Sequence, residues 1–142
     1  MATRSIVAEP SGNGWYGRYV HWDGSPNTRL PILQRMVARD GVTRVREVLL
    51  HENHSWSSLC DTQAGLDEND DADRMKAVEN YGVAHIDLPS DDEWHFTQDS
   101  PEYAWAQYLY ILADENIVVC KWDETCWKPI SVEPYPHLTV QV

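Results

Sequence analysis

The sequence predicts an α+β domain: an antiparallel sheet with two short helices packed on one face. Runs of β-branched and aromatic residues, bounded by Gly, Pro, Asn and Ser clusters, occur before and after a central helical stretch. That stretch, residues 30–50, carries apolar side chains at helical spacing. Short turns join the runs, which favours antiparallel pairing over strand–helix–strand alternation.

The first element is a hairpin. Thr3 to Glu9 and Trp15 to Trp22 are strand-like, and Pro10-Ser11-Gly12-Asn13-Gly14 between them is turn chemistry. Asp23-Gly24-Ser25-Pro26 ends the second strand. Asn27 or Thr28 is then placed to cap a helix with Pro31 in its first turn. Leu33, Met36 and Val37 form its apolar stripe, and Gly41 stops it. A second helix is expected from Thr43, with Val45, Val48 and Leu49 on one face.

Residues 51–73 lose periodicity and read as a long loop with Trp56 and Leu59 pinned inward. Arg74 to Asp87 reads as two strands broken near Asn80-Tyr81-Gly82, and Leu88 to Pro101 as a second loop. Tyr103 to Leu112 and Ile117 to Trp122 form a hairpin about Asp114-Glu115-Asn116. Trp127 to Val132 adds a strand in which Pro129 marks an edge or a bend, and Leu138 to Val142 offers one more.

A chain of 142 residues suits a single domain, 1–142, whose core needs no staples. Seven Trp and seven Tyr offset a modest apolar share of 42%. The N-terminal residues lack the apolar segment of a secretory signal, and no run is long enough to span a bilayer. Three cysteines, Cys60, Cys120 and Cys126, leave one unpaired, so a cytoplasmic protein is expected.

The net charge of −12 is concentrated in two places. Asp61, Asp67, Glu68, Asp70, Asp71 and Asp73 form one acidic stretch, and Asp87, Asp91, Asp92, Glu93, Asp99 and Glu102 form the other. Setting those twelve aside leaves eleven acids against eleven Lys and Arg, so the body of the domain is near neutral. Such a balance disfavours nucleic acid as a partner. It suits solubility, or encounter with a basic protein surface.

The candidate site lies at the end of the second strand. His21-Trp22-Asp23-Gly24 sets an imidazole, a flat aromatic and a carboxylate beside a helix N-terminus, with Arg18, Tyr19 and Trp56 as neighbours. Two readings stand: a ligand site, or a turn in which Asp23 bends the chain, Trp22 packs and His21 bonds across the sheet. Thr3-Arg4-Ser5, Gly17-Arg18-Tyr19-Val20-His21-Trp22-Asp23-Gly24, Trp56-Ser57-Ser58, Tyr81-Gly82-Val83-Ala84 and the Tyr108 to Leu112 strand together resemble an uncharacterised family of small actinobacterial and actinophage proteins with a His-Trp-Asp-Gly signature. The likeness covers most of the chain; many relatives follow the signature with Tyr-Pro where this chain has Ser25-Pro26. The resemblance implies a setting, a phage or mobile-element accessory protein, and no catalytic residue.

The expectation is therefore a non-enzymatic binding protein acting on a host protein or small molecule through Arg18, Tyr19, His21, Trp22, Asp23 and Trp56, with no cofactor and no metal. The first alternative is a small hydrolase with His21 as general base and Asp23 orienting it. The second is a helix-turn-helix DNA binder over residues 30–50, using Arg35, Arg39, Arg44 and Arg46. His51-Glu52-Asn53-His54 is one residue short of the H-E-x-x-H zinc motif.

Overall fold

A computed structural model describes residues 3–53, 55–62, 66, 73–86, 94–96 (backbone only) and 106–135. β1 (Ser5–Ser11) and β2 (Gly14–Val20) form the expected hairpin, in register from Ser5↔Val20 to Ser11↔Gly14. It lies at the centre of the sheet, because both of its strands gain a second neighbour from later in the chain.

α1 (Pro26–Asp40) begins earlier than the sequence reading placed it. Ser25 holds the extended cap conformation and Pro26 takes the first helical position, where no N–H is needed. Pro31 consequently falls inside the helix. Leu33, Met36 and Val37 are buried as expected, and so is Arg29. Gly41, at φ 85°, closes the helix by donating its N–H to the Val37 carbonyl at 2.8 Å.

The second helix, α2 (Val42–Arg46), runs directly into a π-turn over Glu47–His51, closed by the Glu52 N–H on the Glu47 carbonyl. Widening the turn buries three consecutive residues, Val48, Leu49 and Leu50. Their carbonyls are taken up one by one: Asn53 Nδ2 donates to Val48, Trp56 Nε1 to Leu49 and Arg18 Nε to Leu50, at 2.9, 3.0 and 2.9 Å.

Residues 51–73 are not all loop, since β3 (Trp56–Leu59) lies within them. The helices carry the chain back across the sheet, so β3 starts at the same end as β2 and pairs with it in parallel at Val20↔Trp56. β4 (Met75–Val78) and β5 (Gly82–His85) form a hairpin, with β5 antiparallel to β3. β6 (Trp94–Phe96) lies inside the second acidic stretch and pairs with the start of β2. β7 (Tyr108–Leu112) joins β1 in parallel, and β8 (Asn116–Trp122) and β9 (Trp127–Pro134) continue as an antiparallel meander.

The order is β4-β5-β3-β2-β1-β7-β8-β9, with β6 beside β2. The purely antiparallel sheet expected from the sequence is thus corrected to a mixed, largely antiparallel one. A hairpin at the centre can gain outer neighbours only through long crossovers, and two of these arrive parallel. Most of both acidic stretches, residues 103–105 and the expected strand 138–142 lie outside the described residues.

One core lies under the helices, joining Val7, Val20, Leu33, Met36, Leu49 and Trp56. A smaller cluster on the opposite face gathers Ile6, Ala8, Leu109, Ile111, Cys120 and Trp127.

Candidate functional site

Strand alternation sorts the residues of β2 between the two faces. Tyr16, Arg18 and Val20 turn toward the helices, and a Cβ at Gly17 would instead meet Ile6 and Ala8 on the other face. By the same alternation Tyr19 and His21 belong to that second face. The predicted ligand set therefore divides. Arg18 is buried, donating to the Leu50 carbonyl and the Tyr16 hydroxyl. Trp56 is buried and caps the π-turn. Both are structural, and neither meets solvent at the site.

Tyr19, His21 and Trp22 do come together. The Tyr19 hydroxyl lies 2.6 Å from His21 Nδ1, and the Trp22 ring meets the imidazole edge-on, with centroids 4.7 Å apart at 87°. The Trp22 side of this pair is open, at 46% exposure. Burial, then the charge of Arg4, pushes His21 below the ordinary imidazole pKa. Arg4 also hydrogen-bonds Tyr19. The Tyr19 contact engages Nδ1 and leaves Nε2 as the His21 ring nitrogen that faces incoming groups.

Sequence reasoning did not single out Ser55 and His85 on the same side of the site. His85 donates its backbone N–H to the Ser55 carbonyl, and its Nδ1 lies 2.7 Å from Ser55 Oγ. Burial first, and His21 second, depress the His85 pKa. The sequence signal was the alternation in β5, which puts His85 on the opposite face from the buried Ala84.

The bend that follows is held from within. The backbone N–H groups of His21 and Trp22 donate to the carbonyls of Trp56 and Ser57, at 3.0 and 2.9 Å. Asp23 then adopts φ 58°, a left-handed conformation Asp tolerates better than most residues. Gly24 donates to the Thr3 carbonyl at 2.9 Å and accepts from the Tyr110 hydroxyl at 2.5 Å. Arg29 Nη2 donates to the Trp22 carbonyl at 2.6 Å. Asp23 itself is exposed at the tip of the bend and makes no hydrogen bond to His21 among the described residues. The His21–Asp23 pair required by the hydrolase reading is therefore not formed.

The other candidates are also accounted for. Arg35 pairs with Asp61, Arg39 with Asp40, and Arg44 with Glu47 and Glu52, while Arg46 binds Asp114 and the Leu112 carbonyl. All four arginines of the supposed DNA-binding segment are engaged, and α2 is only five residues long. His51 stacks on Tyr16 at 5.3 Å and faces Glu9 at 3.2 Å, whereas His54 lies outside the described residues. No group of three metal-ligating side chains occurs among the described residues. All three cysteines are free thiols, and burial raises Cys120 to about 11. No helix among the described residues is long and apolar enough to cross a membrane. No family model matches the chain, and neither the curated proteins nor the solved structures give a match.

Proposed function

We propose that the protein is a non-enzymatic binding protein that takes a small planar ligand on the face formed by Tyr19, His21 and Trp22, with Arg4 and His85 at its border. The observation that carries this reading is the mounting of Trp22. Its indole stands 46% exposed while its neighbour His21 is fixed by the Tyr19 hydroxyl. An exposed aromatic beside an imidazole held by a neighbouring hydroxyl offers a ring both a flat face and a polar edge. The resemblance of residues 17–24 favours a cytoplasmic phage or mobile-element accessory role, in which the same face would take its ligand from the host.

The test is a ligand-observed NMR screen of aromatic and nucleoside fragments. Hits that bind the native chain and are lost in Trp22→Ala support the reading. A screen without hits, or with hits unaffected by Trp22→Ala and His21→Ala, rejects it.

A second reading has one specific support. Ser55 Oγ and His85 Nδ1 stand at hydrogen-bond distance, and His85 is biased to the neutral, basic form. Among the described residues no carboxylate orients His85, so the pair lacks the third member of a catalytic triad. Release of nitrophenolate from a nitrophenyl ester, abolished by Ser55→Ala, would establish this reading in place of the first.

A further inference from the structure

The sheet ends in two unlike edges. β4, at one end, is four residues long and carries the exposed Lys76, and both features blunt an edge. β9, at the other, is the longest strand at eight residues, and among the described residues it pairs with β8 alone. It also holds the two most exposed large apolar side chains of the described residues, Val132 at 57% and Ile130 at 51%. A long edge strand with exposed apolar residues is a template for a further strand.

The charges of β9 select the strand that fits. Residues directly opposite each other in an antiparallel ladder share a face. Glu133, opposite the buried Ile117, and Lys128, opposite Lys121 and in line with Tyr108, therefore lie on the helix side. Val132, opposite Val118, and Pro129, opposite Cys120, lie on the other. Within the chain both charges have poor cross-strand neighbours: a like charge for Lys128, a core side chain for Glu133. Lys128 reaches Asp123 at 3.1 Å but keeps 66% of its side chain exposed. A second β9 laid antiparallel beside the first, with a twofold axis between Ile130 and Ser131, corrects both neighbours. Lys128 of each copy then falls opposite Glu133 of the other on one face, and Val132 falls opposite Pro129 on the other face.

We propose that this edge is a self-association surface, on which two copies of the chain pair β9 to β9 about that twofold axis. Ile130, the extra residue of the β8–β9 bulge, lies beside the axis and is covered together with Val132. Pro129 has no N–H to give and the bulge interrupts the ladder, so the contact is short and reversible. Twofold pairing uses the same edge on both copies and leaves only the blunted β4 edges free, so assembly stops at the dimer. One strand pair is smaller than a standard interface, which sets the dissociation constant on the order of 100 μM. β1, β7 and β8 separate this edge from β2, so the inference is independent of the ligand proposed there.

The test is sedimentation equilibrium of the whole chain from about 10 μM to about 1 mM, where a monomer–dimer equilibrium is expected. Glu133→Lys sets two lysines against each other at both ends of the contact and should weaken the dimer about tenfold. Adding Lys128→Glu to it restores opposite charges and should recover the native affinity. Val132→Asp, at the most exposed position, should abolish the dimer over the same range while leaving the near-ultraviolet circular dichroism unchanged. A chain that stays monomeric throughout overturns the proposal and leaves the edge to another occupant, such as residues 138–142 of the same chain. A dimer that Glu133→Lys and Val132→Asp leave unchanged, or that the double exchange fails to recover, also overturns it.

Discussion

Replacing Gly24 with Ala puts one methyl group into the tightest point of the bend. The new Cβ would stand 2.6 Å from the Thr3 carbonyl oxygen, 2.8 Å from Ser5 Cβ and 2.9 Å from Ser5 Oγ. The first two neighbours are fixed to the backbone at the start of β1 and just before it and cannot rotate away, so the bend must lift by several tenths of an ångström. That displacement strains overpacked atoms, at about 1–3 kcal/mol. It also weakens the bonds to Thr3 and from Tyr110, each worth about 1 kcal/mol. The expected loss is about 2–4 kcal/mol, or a fall of roughly 10 °C in melting temperature for a domain of this size. Urea unfolding followed by tryptophan fluorescence, with calorimetry beside it, reads both quantities. Gly12→Ala is the control: its φ of 58° is strained for Ala, but nothing lies within 4 Å, so it should cost only about 1–2 kcal/mol. A Gly24→Ala protein within about 0.5 kcal/mol of the native chain would refute the close approach on which the site's construction depends.

Other perturbations separate scaffold from site. Trp56→Ala removes a buried indole and uncaps the Leu49 carbonyl, and should cost about 3–5 kcal/mol in urea unfolding; a loss below 1 kcal/mol would place Trp56 outside the core. Arg18→Met leaves the buried Leu50 carbonyl without its donor, at about 1–3 kcal/mol, and an unchanged urea midpoint would contradict that role. Trp22→Ala, by contrast, should stay within about 0.5 kcal/mol while abolishing fragment binding. His21 and His85 both titrate below their ordinary 6.5, through burial first in each case. Above that value neither state is protonated; below it the unfolded chain takes up protons that the folded chain resists, so stability should fall as pH drops from about 6.5. Proton NMR titration of the imidazoles showing either midpoint above 6.5 would contradict this.

Local patterns made much of the fold legible. The β1–β2 hairpin, the stripe of Leu33, Met36 and Val37, the stop at Gly41 and the β7–β8 hairpin all rest on interactions between residues close in sequence. The closeness of Trp22 to His21 was legible for the same reason, but not that the indole faces solvent. What eluded the sequence was long-range. β3 is only four residues long, with two serines, one of them buried, between Trp56 and Leu59, and its parallel pairing depends on where the helices return the chain. Arg18 and Trp56 resembled ligand-binding residues because their types suit recognition; their burial is set by a π-turn that no periodicity announces. Arg29 was hidden by its place in an amphipathic helix, where an arginine ordinarily reaches solvent. His85 and Ser55 meet through the β3–β5 pairing, thirty residues apart in the chain.

The central claim is that the bend at residues 21–24 is fixed from inside so that the Trp22 and His21 side chains can be presented outside. Chemical-shift mapping with the strongest fragment from the screen tests it most directly. The account predicts saturable shifts centred on the Trp22 indole N–H, the His21 ring and the backbone amides of β2 and β5, with the Trp56 indole N–H unmoved. Shifts centred elsewhere, or on Trp56 and the helices, would contradict it.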